Sequence, residues 1–519
     1  MSSKKNNEIK DKQRICSLAN EIEMISIAKN NITTQKEKKE RGQFFTSAAV
    51  AKLMVKMINL KKKKLKVLDP GSGTGILIAA LIERVITENL NVNISVDLYE
   101  NDSRVIPFLQ KSMELCFVAM KEKGNKFEYN IIEKDFIINN QNCFEELLID
   151  KKILYDLVIS NPPYYKVNKQ HKYSKILSDY IFGQPNVYFM FMAVSEKLLK
   201  PYGQLVFLTP RSYCSGPYFQ EFRKQFFNKI QPLQFHLFES RKSNFTLEKI
   251  LQENIILNGF KKKRAFKEII ISTSNTSDIH DSYKEFALDN NLVISNYDKN
   301  KLIRLPVSDK EKNIIDLFDG WENSLALMNM SISTGPVVTF RVQEALTKFD
   351  AAQTYPLLYM KHLNKTEIIF PLNTQEEGIK KNYTKKPILI PTKNYVVIKR
   401  FSSKEQFKRI YAAALLKKKF SYNMVGLENH LNYIYKKDGE LSETDVLGLV
   451  SFLNSKLVNE YFCIINGHTQ VNATDLKMMK FPSYDFLSEL GAKVLNEKLL
   501  DSEIDTYLNK CFLGKKTCK

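Results

Sequence analysis

Apolar positions in the first half of the chain alternate between two periods. After Ser47, placed to cap a helix, Val50, Leu53, Met54, Met57 and Ile58 recur at the spacing of one helical face. Lys66-Val67-Leu68-Asp69 reads as a short buried strand, followed by a helix through Ile76, Ile78, Leu81, Ile82 and Val85. The alternation continues with a strand at 94–99, a helix at 105–116, a strand at 155–160 (YDLVIS), a helix at 187–199 and a strand at 203–209 (GQLVFLT). This order predicts an α/β domain whose mostly parallel sheet is covered on both faces.

Past about residue 260 the regularity weakens. An outer strand is expected at 268–272, then short β-type runs, prolines and polar loops, with helices near 404–416 and 444–458. The first forty residues are polar and rich in Lys, Asn and Glu, and helical only in part. Three segments are therefore expected: a polar extension over 1–40, the α/β domain over 41–270 and a mixed α+β domain over 271–519.

Charge narrows the class of partner. Lys and Arg number 78 against 57 for Asp and Glu, a net charge of +21, which suits a polyanion. No uninterrupted apolar run has the ~18 residues of a spanning helix, and residues 1–12 lack the apolar core of a secretory signal, so no membrane role is expected. The 7 cysteines are odd in number, scattered and never in a C-x-x-C pair. His171, His236 and His468 are isolated. Reduced thiols, a cytoplasmic location and no bound metal follow as expectations.

Candidate chemistry collects at the predicted strand ends. Asp69-Pro70-Gly71-Ser72-Gly73-Thr74-Gly75 links a strand to a helix, where a nucleotide-like ligand binds on a parallel sheet. No Lys-Ser or Lys-Thr follows the last glycine, so this is not a phosphate-binding P-loop. Asp69 suits the cationic end of a zwitterion. Glu100 closes the next strand, where an acid can hold ribose hydroxyls, and Asp135 with Phe136 closes a third, suited to an adenine amino group and ring.

On the same edge the fourth strand ends in Asn161-Pro162-Pro163-Tyr164. An aromatic amino nitrogen is a poor nucleophile because its lone pair is delocalised. Two acceptors, the Asn161 side-chain oxygen and the Pro162 carbonyl, would take both amino hydrogens and stabilise charge developing on that nitrogen. The prolines fix the backbone, and Tyr164 offers a stacking face. Taken alone, the tetrapeptide indicates a planar amino substrate without distinguishing adenine, cytosine or a glutamine amide.

The order Arg41-Gly42-Gln43-Phe44-Phe45-Thr46, Asp69 to Gly75, Glu100, Asp135 and Asn161 to Tyr164 resembles the gamma class of amino-methyltransferases, whose TaqI-type members carry a C-terminal target recognition domain. The likeness covers about residues 41–260 well and the remainder loosely. It implies a Rossmann-like methyltransferase domain that uses S-adenosyl-L-methionine, and an activity on adenine N6 in double-stranded DNA. Phe45 and Thr46 would border the methionine moiety, Asp69, Gly71 and Gly73 hold the cofactor, Glu100 its ribose, and Asp135 with Phe136 its adenine. Asn161, Pro162, Pro163 and Tyr164 would be catalytic, with Phe245, ahead of Gln252-Glu253-Asn254-Ile255, stacking on the flipped base opposite Tyr164.

Two polar segments, 333–337 and 467–476, are similar to stretches of PstI-like recognition domains. Arg341, Lys361, His468, Gln470 and Asn472 are the candidates there for reading bases or positioning on phosphates. A bacterial type II modification enzyme of this kind is expected as a monomer, nucleoid-associated when on DNA and paired in function with a cognate restriction endonuclease. Three rivals remain at this level: the modification subunit of a multisubunit restriction enzyme, an RNA or protein-glutamine methyltransferase, and a non-enzymatic DNA-binding protein on a dead cofactor fold. Against the first, only about forty residues precede Phe44 while a large basic half follows; against the last, none of Asp69, Glu100, Asn161 or Tyr164 is lost.

Overall fold

The computed structural model describes residues 17–30, 42, 46–144, 154–238, 254–275, 282–295, 300–374, 376–384, 387–402, 408–466 and 470–513. The chain divides into two compact units, Met1–Val307 and Ser308–Lys519.

The first unit is built on strands β1 (Lys64–Asp69), β2 (Asn93–Tyr99), β3 (Phe127–Ile132), β4 (Tyr155–Ser160), β5 (Leu199–Pro210), β6 (Ile230–Phe238), β7 (Asn254–Lys261), β8 (Glu268–Ser274) and β9 (Lys284–Asp289). They form one sheet in the order β3-β2-β1-β4-β5-β7-β6-β8-β9. The first five are parallel, β7 is antiparallel to β5 and to β6, β8 is parallel to β6, and β9 is antiparallel to β8. Helices α1 (Leu18–Asn30), α2 (Ala48–Lys56), α3 (Ile76–Thr87), α4 (Ile106–Glu122), α5 (Phe136–Asn139) and α6 (Val187–Leu198) accompany the strands. Strand order reverses between β1 and β4, the point at which open α/β sheets leave a crevice beyond the strands' carboxyl ends.

Local sequence explains these elements. The Ser47 hydroxyl accepts from the Val50 N–H and starts α2, whose Val50, Leu53 and Met54 are buried. The apolar stripe of α3 packs with α2 and with Val67, Val96 and Leu98 of the sheet into one core. The expected α/β architecture is therefore present.

Two boundaries differ from the expectation. The first unit runs to Val307, where the sequence pattern suggested a break at 270. The reason is β8, whose Ile269 and Ile271 are fully buried and which pairs residue by residue with β6. The basic run 261–264 begins on the last residue of β7 and continues into the connection to β8, and is no linker. At the other end, α1 is no mere extension. Its Ala19 and Ile22 are fully buried in the core shared with α2 and α3, and Glu83 of α3 accepts from the Ala19 N–H at 2.9 Å.

The second unit holds a six-stranded and a five-stranded sheet, with a helical group at its C-terminal end. The helix expected at 404–416 is overturned within the described residues: Ala412–Leu415 is a strand, antiparallel to Tyr395–Lys399. Alanine and leucine favour a helix intrinsically, but pairing beside a buried strand outweighs that preference. The helix expected at 444–458 is present as α7 (Glu443–Asn454), after which Ser455 starts a second helix, Lys456–Ile465.

Where α7 meets α8 (Tyr484–Glu497), two glycines allow backbone-to-backbone approach. A Cβ on Gly448 would lie 1.9 Å from the Leu487 carbonyl oxygen, and one on Gly491 1.8 Å from that of Thr444. Neither obstacle is a side chain that could swing away. Gly448→Ala and Gly491→Ala should each destabilise the second unit by about 1–3 kcal/mol or more, as overpacked cores do. Thermal melts of the full chain should show a lowered transition, and an unchanged melt for either variant would refute this packing.

Candidate active site

The crevice at the strand ends is lined first by the Gly-rich turn after β1. Ser72 ties this turn to β2: its N–H donates to the Tyr99 carbonyl at 2.9 Å, and its hydroxyl donates to the Asp69 and Tyr99 carbonyls. Gly73 has φ +52°, and the space where its Cβ would stand is open. Gly75 has φ +85°, and a Cβ there would strike Met113 and Leu109 of α4. The first of these glycines leaves a cradle for a ligand, while the second lets α3 pack on α4.

Asp69 is fully buried at the floor of the turn, and its carboxylate oxygens have no well-formed hydrogen bond, the Gly71 N–H being the backbone donor that favours its charged form. Burial pushes its pKa from 3.8 up to about 8. A buried carboxyl left unsatisfied costs stability unless something cationic completes it. Glu100, also buried, is tied on both oxygens: Oε2 accepts from the Gly73 N–H at 3.1 Å, and Oε1 from the Asn101 and Asp102 N–H groups at 2.8 and 2.9 Å. Burial raises its pKa, and the Lys29 charge on α1 works against that rise. Glu100 therefore holds the glycine turn against the end of β2 and keeps acceptor capacity toward the crevice.

Asp135 caps α5 by accepting from the Ile138 N–H at 2.9 Å, and it also accepts from the Tyr173 hydroxyl. Phe136 is buried edge-on to Tyr99 at 5.2 Å and beside Phe191 at 5.1 Å. The buried Asp69, the open cradle over Gly73 and this aromatic wall fit a zwitterionic nucleoside such as S-adenosylmethionine, which Asp69, Gly71, Gly73, Glu100, Asp135 and Phe136 would hold.

Asn161 follows β4 directly on the neighbouring strand. Its Nδ2 donates to Thr46 Oγ1 at 2.9 Å, and its Oδ1 accepts from the Tyr164 hydroxyl at 2.5 Å. The carboxamide is thus oriented from both ends, with its oxygen as acceptor. Tyr164 is buried, its hydroxyl also donates to the Leu208 carbonyl of β5 at 3.0 Å, and its ring stands edge-on to Tyr188 at 6.1 Å. Its N–H donates to the carbonyl of Gly42, which has φ +57°, and a Cβ there would come within 2.8 Å of the Tyr164 backbone. The ring of Pro163 and that of Phe191 flank Gly71, so the glycine turn and the tetrapeptide share one wall.

Sequence reasoning missed two features of this edge. Thr46 orients the Asn161 amide, a long-range contact with no local signal. Asn254, at the start of β7 opposite Pro210, is buried with both amide atoms unpartnered. Its one trace in the sequence is a polar residue opening an otherwise apolar strand. Phe45, Phe245 and His468 lie outside the described residues.

In the second unit, Gln470 pairs by a backbone bridge with Phe401, and the Asn472 amide is taken up by Asp475 at the start of the helix Ala473–Met478. Lys361 reaches the buried Glu377 at 3.2 Å, and Arg341 is exposed. Among the described residues no cluster of metal-ligating side chains occurs, and no helix is long and apolar enough to cross a membrane.

A parallel sheet with a nucleoside cradle beside an oriented Asn-Pro-Pro-Tyr defines a cofactor-dependent transferase that acts on an amino group. Comparison with known proteins gives the family. The family model for N-6 DNA methylases matches residues 30–288. The type II methyltransferase M.BsuBI of Bacillus subtilis is 35% identical over 486 residues, covering 92% of this chain and 95% of that protein. The type II methyltransferase M.PstI of Providencia stuartii is 31% identical over 493 residues, covering 94% and 96%. The solved structure of the type IIL restriction-modification enzyme MmeI in complex with DNA shares the fold, with a TM-score of 0.53 at 13% identity over 98% of this chain and 75% of that one. The chain belongs to the N-6 DNA methylase family, as an S-adenosylmethionine-dependent methyltransferase of adenine in DNA. The resemblance drawn from the motifs is borne out for fold, cofactor and reaction.

Proposed function

We propose that this chain is the modification enzyme of a type II system, methylating adenine N6 at a specific duplex sequence and so protecting it from a cognate endonuclease. It works as a monomer in the bacterial cytoplasm, on the nucleoid, and reads its site through the second unit. The observation that carries this reading is the Asn161 carboxamide, held by Thr46 and presenting Oδ1 as an acceptor beside the cofactor cradle.

S-adenosylmethionine, when bound, supplies an electrophilic methyl group on a sulfonium. The chain's residues do the rest. The target adenine is rotated out of the duplex, because its amino group is out of reach within the stack. Asn161 Oδ1 exchanges the Tyr164 hydroxyl for one N6 hydrogen, and the Pro162 carbonyl takes the other. Both acceptors are fixed before the reaction, so they stabilise positive charge on N6 without reorganising. Released from Asn161, Tyr164 offers its ring to the base. As the N–C bond forms and the sulfonium S–C bond breaks, the nitrogen becomes positively charged and afterwards gives one hydrogen to solvent, so no tuned general base is needed ahead of transfer.

Expression in a host that lacks adenine methylation, with modified adenines mapped along the genome, tests the reading. One short sequence motif should be methylated throughout by the wild-type chain and not by Asn161→Ala. Absence of any modified motif would sink the proposal, and methylation that depends on an added specificity chain would make this a modification subunit instead.

A further inference from the structure

The segment between the tetrapeptide and α6 is a loop closed at its neck. There the Val167 N–H donates to the Pro185 carbonyl at 3.1 Å and the Val187 N–H to the Tyr165 carbonyl at 2.9 Å, with Lys166 and Asn186 bridged antiparallel. Further out, the Ser174 hydroxyl donates to the Asn168 carbonyl at 2.8 Å, and the buried Tyr180 stands edge-on to Phe144 at 6.0 Å. These contacts seat the loop independently of Asp135. Tyr173, also buried, has its ring edge-on to His171 at 4.5 Å and its hydroxyl donating to Asp135 Oδ2, 38 positions back in the chain. Burial, and then the bond to Asp135, hold that hydroxyl protonated, so it stays a donor.

Asp135 is half-buried at the start of α5, where its Oδ1 accepts from the Ile138 N–H at 2.9 Å. With that bond alone the carboxylate could pivot about Oδ1 and turn to water. The Tyr173 hydroxyl takes the other oxygen and fixes the plane of the group. Acceptor capacity remains, because a carboxylate offers about four lone-pair sites. We propose that Tyr173 is a positioning residue for the cofactor. It sets the Asp135 carboxylate to accept from the 6-amino group of the cofactor's adenine, and so makes that end of the crevice selective for a 6-aminopurine. An acceptor fixed beforehand need not be ordered when the ligand arrives, and a site built around such a bond rejects a ligand that lacks it. This rests on the placement of the cofactor's adenine at Asp135 and Phe136.

The test compares two ligands by calorimetry on the full chain without DNA: S-adenosylhomocysteine, and its analogue with hydrogen in place of the purine 6-amino group. Wild type should bind the amino form about tenfold or more tighter, the scale of a hydrogen bond to a charged group. Tyr173→Phe keeps the ring and loses only the hydroxyl. It should bind the amino form about tenfold more weakly and the deaminated analogue as wild type does. In methyl transfer its KM for S-adenosylmethionine should rise by the same factor, with kcat at saturating cofactor close to wild type. An unchanged affinity of Tyr173→Phe for the amino form, or an equal loss for both ligands, would overturn the positioning role. A wild type that binds both ligands alike would remove the cofactor's adenine from Asp135, and the role of Tyr173 with it. Failure of the adenine-N6 reading would appear only in transfer to DNA and would leave these affinities standing, so the two failures are distinct.

Discussion

Asn161→Ala should reduce single-turnover methyl transfer by about 10²–10³-fold, the scale seen when one preorganised polar group is removed from a transition-state site. The loss should fall on the chemical step, because the carboxamide oxygen is the acceptor proposed for an N6 hydrogen. Cofactor affinity and duplex affinity should stay close to wild type, and thermal stability should change little. Asn161→Asp is the sharper variant. It keeps an acceptor oxygen toward the substrate but replaces the Nδ2 donor facing Thr46 with an acceptor and brings a full negative charge to the site. An intermediate rate is expected. A rate for Asn161→Ala within a few-fold of wild type would show that the fixed carboxamide is not what activates the amino nitrogen.

The second large effect concerns Asp69 and pH. Its pKa is raised from 3.8 to about 8, so in the free protein the carboxyl is neutral below that value. A raised carboxyl pKa contributes stability that is full below the unfolded value and is lost as pH rises through the folded one. The cofactor-free protein should therefore become less stable between about pH 4 and pH 8 on this account. On the proposed contact between Asp69 and the ammonium end of the cofactor, the ionised form is required, so binding below pH 8 should release a proton. Affinity should rise by about tenfold per pH unit as the pH approaches 8, and then fall as the free amine, with an ordinary pKa near 8, loses its own proton. Calorimetry in buffers of different ionisation enthalpy would count the released proton. Asp69→Asn should weaken binding and flatten the acidic limb. A wild-type affinity independent of pH from 6 to 8 would remove Asp69 from the ammonium contact.

Much of this site was legible because each chemical residue ends an apolar strand. Asp69, Glu100 and Asn161 each follow a hydrophobic run, and a parallel sheet carries the ends of such runs to one edge. Register then did the rest, since β1 pairs with both β2 and β4. What was hidden depends on contacts between distant segments. Thr46 precedes a helix cap and looks like loop, yet it fixes the orientation of a side chain more than a hundred positions later. Residues 412–415 are rich in alanine and carry no strand signature of their own; the neighbouring Tyr395–Lys399 strand supplies it. The end of the first unit was masked by a basic turn and a drop in hydrophobicity that mark a sheet edge as well as they mark a linker.

The helix Leu18–Asn30 has a consequence for the order in which the molecule is made. Ser26 on this helix is hydrogen-bonded to Thr74 of the glycine turn, and Lys29 lends its charge to Glu100. The helix leaves the ribosome before any strand against which it packs, so its apolar face waits for β1 and α3 to follow. Trimming through the helix Leu18–Asn30 would remove the outer support of the cofactor turn, and newly made chains acquire that support only once the turn itself has emerged. Competence to bind cofactor in this sense depends on a segment made before the turn that it supports.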